Sequence, residues 1–217
     1  MSAMNDPWTN DPYTPPRVLN LADYGAARFT GPPPQIEWLV QHNIPLGVAC
    51  LLVAMGGVGK SYLLLLLCLL VTSRRIENPG TTDAQIHNLN TFTRPILGGT
   101  VVGHGRAVFI TAEDDEGTIH RRLAVLDPHE RRTDDLTVIA LPNAGGPLPF
   151  FVSDHNGVRA TDEWDMIRKQ LLAIPDLKLI AIDPLAAFCQ VQLDADSTAS
   201  QFVCQPSASS RPRPAQR

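Results

Sequence analysis

An α/β domain built on a mostly parallel sheet is the fold class this sequence predicts. Four apolar runs of strand length, at 47–53, 106–112, 136–141 and 177–183, alternate with segments whose apolar residues recur every three or four positions. A glycine-rich turn, Gly56-Gly57-Val58-Gly59, joins the first run to a leucine-dominated one. Polar groups follow three of the runs: Lys60 and Ser61 after the first, Glu113 after the second, and Asp183 at the end of the fourth. Alternating strands and helices imply three layers, with a ligand at the carboxyl edge of the strands.

Residues 1–32 are rich in Pro, Asn, Asp and Thr and read as a polar tail, with Trp8 and Tyr13 as its docking residues. The folded core is expected over 33–204. It opens with an approach segment, 33–43, that offers Trp38, Leu39 and Val40 for packing, and Ile44-Pro45-Leu46-Gly47 turns the chain into the first strand. Gly47 to Val53 reads as that strand, buried, and Tyr62 to Val71 as a buried helix. The helix run is about half the roughly 20 apolar residues a membrane span needs, and Lys60 stands directly before it.

The next stretch, 73–105, is long and irregular, as functional or mobile loops are. His87 and His104 lie in it without partners at metal-ligand spacing. Arg106 to Ala112 is the second strand. Ile119, Leu123 and Leu126 share one face of a helix over 117–126, which Asp127-Pro128 stops. Leu136 to Leu141 is the third strand, closed by the turn 142–147. Trp164, Ile167, Leu171 and Ile174 mark a helix over 161–174, ended by Pro175, and Leu177 to Asp183 is the fourth strand. Beyond Gln192 the chain turns polar, with a helix start at Thr198, and 205–217 is a Ser/Pro/Arg-rich tail expected to be disordered.

Composition narrows the function classes. A hydrophobic fraction of 44% and a charged fraction of 18% are those of a globular protein. The net charge of −4 argues against coating nucleic acid by bulk electrostatics, though not against a local basic groove. Cys50, Cys68, Cys189 and Cys204 show no C-x-x-C spacing. Cys50 and Cys68 sit in apolar runs, where cysteine behaves as a small buried hydrophobe, so a reduced cytoplasmic compartment is expected. The N-terminus carries no apolar signal-peptide core.

The chemistry centres on Ala54-Met55-Gly56-Gly57-Val58-Gly59-Lys60-Ser61. Strand, glycine-rich loop, Gly-Lys-Ser and helix form the phosphate-binding P-loop. Small residues let successive backbone N–H groups close around a phosphate chain, and the helix N-terminus adds donors and positive partial charge. Gly56, Gly57, Val58, Gly59, Lys60, Ser61 and Tyr62 form the predicted nucleotide-binding set. Lys60 is expected to reach the β- and γ-phosphates, and the Ser61 hydroxyl to hold Mg²⁺. Ala54 departs from the pattern G-x-x-x-x-G-K-S/T, in which a glycine stands at that place.

Asp183 fits a carboxylate delivered to the Mg²⁺ shell, in part through water. Read by itself it is as easily a strand-ending aspartate capping the turn before Pro184. Glu113 fits the general base that activates the attacking water. It is preferred over Asp114 because it comes first after the strand, against the alternative of a solvated acidic cluster 113–116. Arg121 and Arg122 are expected on a charged outer face, with an arginine finger across a subunit boundary as the sharper alternative.

These stretches together resemble the RecA-like AAA family ATPases of the plasmid replicative helicase RepA type. The resemblance is carried by Pro33 to Val40, Gly56 to Ser61, Val108 to Asp114, His120-Arg121-Arg122-Leu123 and Leu179 to Leu185, and covers about 33–203. It implies ATP as substrate, Mg²⁺, ring-shaped homo-oligomers and work on single-stranded DNA in plasmid, phage or mobile-element replication. It also implies Glu113 as the catalytic glutamate, with Lys60, and Asp183 as the Walker B carboxylate.

In that family a histidine-bearing sensor strand follows, lying between the P-loop and Walker B strands. No matching segment is found after Asp183, so the chain resembles a member truncated at its C-terminus. A missing central strand removes ladder partners from two neighbours, at several kcal/mol against a typical stability of roughly 5–15 kcal/mol. Nucleotide binding is therefore expected to persist, with hydrolysis and DNA work impaired. Two other readings stand beside this one. They are a non-catalytic nucleotide-binding interaction module and a P-loop small-molecule kinase, whose arginine-bearing lid is not evident here.

Overall fold

The computed structural model describes residues 20–73, 95–154 and 157–190. The described residues up to Ile36 belong to a different compact unit from Glu37–Gln205. In the first unit two short 3-10 turns, Leu21–Tyr24 and Ala26–Arg28, carry no buried residue. Arg28 lies over the rings of Tyr24 and Phe29, 4.8 and 4.7 Å from their centroids.

The second unit is organised on a parallel sheet. Its centre is β3 (Arg106–Thr111), flanked by β4 (Leu136–Ala140) and β7 (Leu177–Asp183). Both pairings are parallel, with Phe109 opposite Val138 and Ala181, and Thr111 opposite Ala140 and Asp183. Side chains on a strand alternate between faces, so β3 feeds two cores. Ala107 and Phe109 join Leu65, Leu67, Cys68, Leu70 and Val71 of helix α1 (Lys60–Thr72) and Ile119 of helix α2 (Glu116–Leu126). Val108 and Ile110 join the opposite cluster, with Leu171 and Trp164 of helix α3 (Asp162–Ala173), Phe150 and Phe188. Helices thus cover both faces of the sheet. α1 is apolar nearly all round because it is buried nearly all round, from Leu65 to Thr72.

Capping follows the sequence closely. Asp115 Oδ1 accepts the Thr118 amide at 2.6 Å at the start of α2, and the Thr161 hydroxyl accepts the Trp164 amide at 3.2 Å at the start of α3. At the end of α2, Asp127 does more than stop the helix. Its buried carboxylate accepts the amides of Arg131 and Arg132 and pairs with the Arg132 guanidinium.

Two smaller pieces complete the unit. A ribbon of β1 (Trp38–Val40) and β2 (Ile44–Pro45) buries Leu39 and Val40 against α1 and Val101. A hairpin of β5 (Phe151–Asp154) and β6 (Gly157–Ala160) pairs in parallel with β8 (Cys189–Gln190), which follows the single helical turn α4 (Leu185–Phe188). The hairpin, β8 and α4 are absent from the sequence reading.

One expected element does not form. The run 47–53 is exposed and outside every strand, with Leu51 at 63% and Val53 at 77% of full exposure. Ile44-Pro45, expected only to turn the chain, is itself β2. The physical reason lies in the ladder: the strand expected between 47–53 and β7 is not among the described residues, so the outer side of β7 stays unpaired and 47–53 has no adjacent strand to bond. Cys50, expected buried in this run, is exposed with it, whereas Cys68 and Cys189 are buried. Burial pushes the Cys68 thiol up to about 12. The expectations for His87, Trp8, Tyr13, Cys204 and the segment after Gln192 lie outside the described residues.

Candidate nucleotide site

The glycine-rich loop ends in a left-handed step that only glycine takes without strain. Gly57 has φ +75° and Gly59 φ +89°, and Gly59 is the N-cap of α1. Lys60 opens the helix and folds back over the loop, its Nζ donating to the carbonyls of Ala54 at 3.0 Å and Met55 at 2.8 Å. Ser61 and Tyr62 follow in the first turn, half-buried. No β-carbon placed on Gly56, Gly57 or Gly59 meets another atom within 4 Å, so the space over the loop is open.

The far end of α1 fixes where this loop stands. The Gly105 amide donates to the Val71 carbonyl at 3.1 Å, so the helix ends where β3 begins. Thirteen helical residues and six strand residues each span about 20 Å. α1 packs along β3 and β7 and runs back against them, which brings Lys60 and Ser61 to the carboxyl end of the sheet.

Thr111, Glu113, Asp114 and Asp183 stand at that same end. Thr111 and Asp183 are register partners, and the Ala112 amide donates to the Asp183 carbonyl at 3.0 Å. Asp183 is buried, and its Oδ2 has no hydrogen-bond partner among the described residues. An anionic oxygen left unsatisfied in the interior is costly, and a divalent cation or its water removes that cost. A carboxylate oxygen and a serine hydroxyl are both hard-oxygen donors of the kind Mg²⁺ takes. Among the described residues there is no cluster of three or more His, Cys, Asp or Glu side chains able to hold a metal by themselves.

The acidic run 113–116 divides by role. Glu113 is exposed and its carboxylate has no partner among the described residues. Asp114 is buried and ion-paired with Arg122. The Thr118 hydroxyl and amide hold the Asp115 carboxyl below its usual value. Sequence reasoning missed two groups that shape this turn. The Thr111 hydroxyl accepts the amides of Glu113 and Asp114 at 3.4 and 3.2 Å, and Asn143 Oδ1 accepts the Glu116 amide at 2.9 Å. A hydroxyl at a strand end and an asparagine in a neighbouring turn were the signals available. Arg122, expected on a solvated face, is instead only partly exposed; Arg121 bonds the Thr118 hydroxyl at 2.8 Å.

A family model described as "AAA domain" matches residues 15–207, most of the chain. No curated protein matches it. Among the described residues no helix is long and apolar enough to cross a membrane.

Proposed function

Because the chain belongs to the AAA domain family, we propose that it is a Mg²⁺-dependent ATP-binding and ATP-hydrolysing protein that acts on DNA in the manner of the RepA-type helicases. What supports this reading is Asp183 in register with Thr111 at the carboxyl edge of a parallel sheet, Glu113 just beyond that strand, and α1, which Lys60 opens, packed along the same strands; such sheets bind ligands at that edge.

In this reading the amides of Gly56 to Ser61 cradle the phosphates, and Lys60 exchanges its two loop carbonyls for phosphate oxygens. Ser61 and Asp183 hold Mg²⁺, which neutralises charge on the phosphates when bound. Glu113, without another partner among the described residues, takes a proton from the attacking water. Mg²⁺, ring-shaped assembly and single-stranded DNA as partner rest on the resemblance quoted above.

The test is phosphate release from ATP, with and without Mg²⁺ and with and without single-stranded DNA, for the native chain and Asp183→Asn. The proposal expects Mg²⁺-dependent release that is slow and at most weakly raised by DNA, in keeping with the impaired hydrolysis and DNA work expected from the sequence, and an apparent Mg²⁺ requirement raised about tenfold or more by the substitution. Release that ignores Mg²⁺, or that Asp183→Asn leaves unchanged, contradicts it.

A further inference from the structure

We propose that Asp114 and Arg122 form a positioning clamp for Glu113, an inference that rests on the hydrolytic reading above. The acidic run presents four carboxylates at the sheet edge, and three of its residues are tied down. Arg122, two turns along α2, donates to Asp114 Oδ2. Asp115 caps the helix, and the Glu116 amide is held by Asn143. The amides of Glu113 and Asp114 share the Thr111 hydroxyl. The buried Asp114 side chain therefore nails the turn between β3 and α2, and Glu113 is the residue the turn presents.

The pair has a second consequence. A guanidinium held by Asp114 cancels that carboxylate's charge beside Glu113, whereas either partner by itself leaves a partly buried ion unpaired. The clamp acts on turnover through the placement of Glu113 and not through contact with nucleotide. An error of about 1 Å in such a group costs on the order of 100-fold in rate.

Two measurements on Arg122→Ala, Arg122→Lys and Asp114→Asn decide it. Hydrogen–deuterium exchange of the segment 113–116 needs no turnover: it is expected to rise at least tenfold in Arg122→Ala and to return toward native in Arg122→Lys. ATPase kinetics are expected to show kcat reduced about tenfold or more in Arg122→Ala, with KM and the Kd for a non-hydrolysable ATP analogue within twofold of native. Unchanged exchange in a folded Arg122→Ala protein overturns the clamp. Faster exchange with native kcat overturns its role in turnover, and so does a joint loss of Kd, kcat and thermal stability. A native chain that binds the analogue but releases no phosphate overturns the hydrolytic reading, and with it the inference, while the exchange result still reports on the clamp.

Discussion

Asp127→Asn removes one charge from the bracket that ends α2 and changes almost no volume. In the native chain Oδ1 accepts the Arg131 amide at 3.0 Å, and Oδ2 accepts the Arg132 amide at 2.9 Å and its guanidinium at 3.3 Å. The asparagine has one acceptor oxygen where the aspartate had two, so its NH₂ must face a buried donor whichever way it turns. An unsatisfied buried amide costs about 1–3 kcal/mol, and a lost bond to a charged group about 1.5–3 kcal/mol. The Arg132 side chain keeps a quarter of its surface in water, so its share is discounted for screening. The expected loss is about 3 kcal/mol, which lowers the urea midpoint by about 1.5 M at a slope of about 2 kcal/mol/M.

The pH dependence carries a sign. Burial by itself raises the Asp127 carboxyl, but the two amides and the Arg132 guanidinium more than offset it, leaving it below the ordinary aspartate value. A carboxyl depressed in the folded state contributes stability above its unfolded value near 4, and that contribution fades as pH falls through the folded value. The gap between native and Asp127→Asn should therefore be full at pH 7 and shrink below about pH 4. Urea unfolding followed by circular dichroism at pH 7 and pH 3 reads both. A penalty under 0.5 kcal/mol at pH 7, or an equal penalty at both pH values, refutes the reasoning.

Further outcomes follow from the same geometry. Glu113→Gln should keep the native affinity for an ATP analogue while single-turnover hydrolysis falls about 100-fold or more. Leu51→Asp should shift stability by less than about 0.5 kcal/mol, because Leu51 is mostly in water; a buried strand there would lose several kcal/mol, and chemical denaturation separates the two. A water-soluble maleimide at pH 7 should modify Cys50 within minutes and leave Cys68 unreacted in the folded chain, as peptide mapping by mass spectrometry can show.

Much of the fold was legible because its signals are local. β3, β4 and β7 are apolar runs bounded by turns, and α2 and α3 carry apolar stripes, with Thr161 marking the start of α3. The run 47–53 failed for the opposite reason. Its composition is that of a buried strand, but burial depends on a ladder partner far along the chain, which composition does not report. The pairing of β5 with β6 left little trace, because each strand is four residues long and offers too few positions for an alternation to stand out.

The candidate site shows the same division. The glycines, Lys60 and Ser61 are proposed from motif spacing and Asp183 from its place at a strand end, whereas the choice of Glu113 over Asp114 rests on order along the chain. The structure adds a physical basis for preferring Glu113: Asp114 is occupied by Arg122, a partner eight residues on, and Glu113 is not.

Equilibrium titration of a fluorescent ATP analogue with Mg²⁺, on the native chain and on Lys60→Ala, tests the central claim most directly. A working P-loop predicts saturable binding to the native chain and affinity reduced at least tenfold in Lys60→Ala, with both proteins unfolding cooperatively. Equal affinity in the two proteins, or no binding by a folded native chain, contradicts the claim that this loop holds a nucleotide.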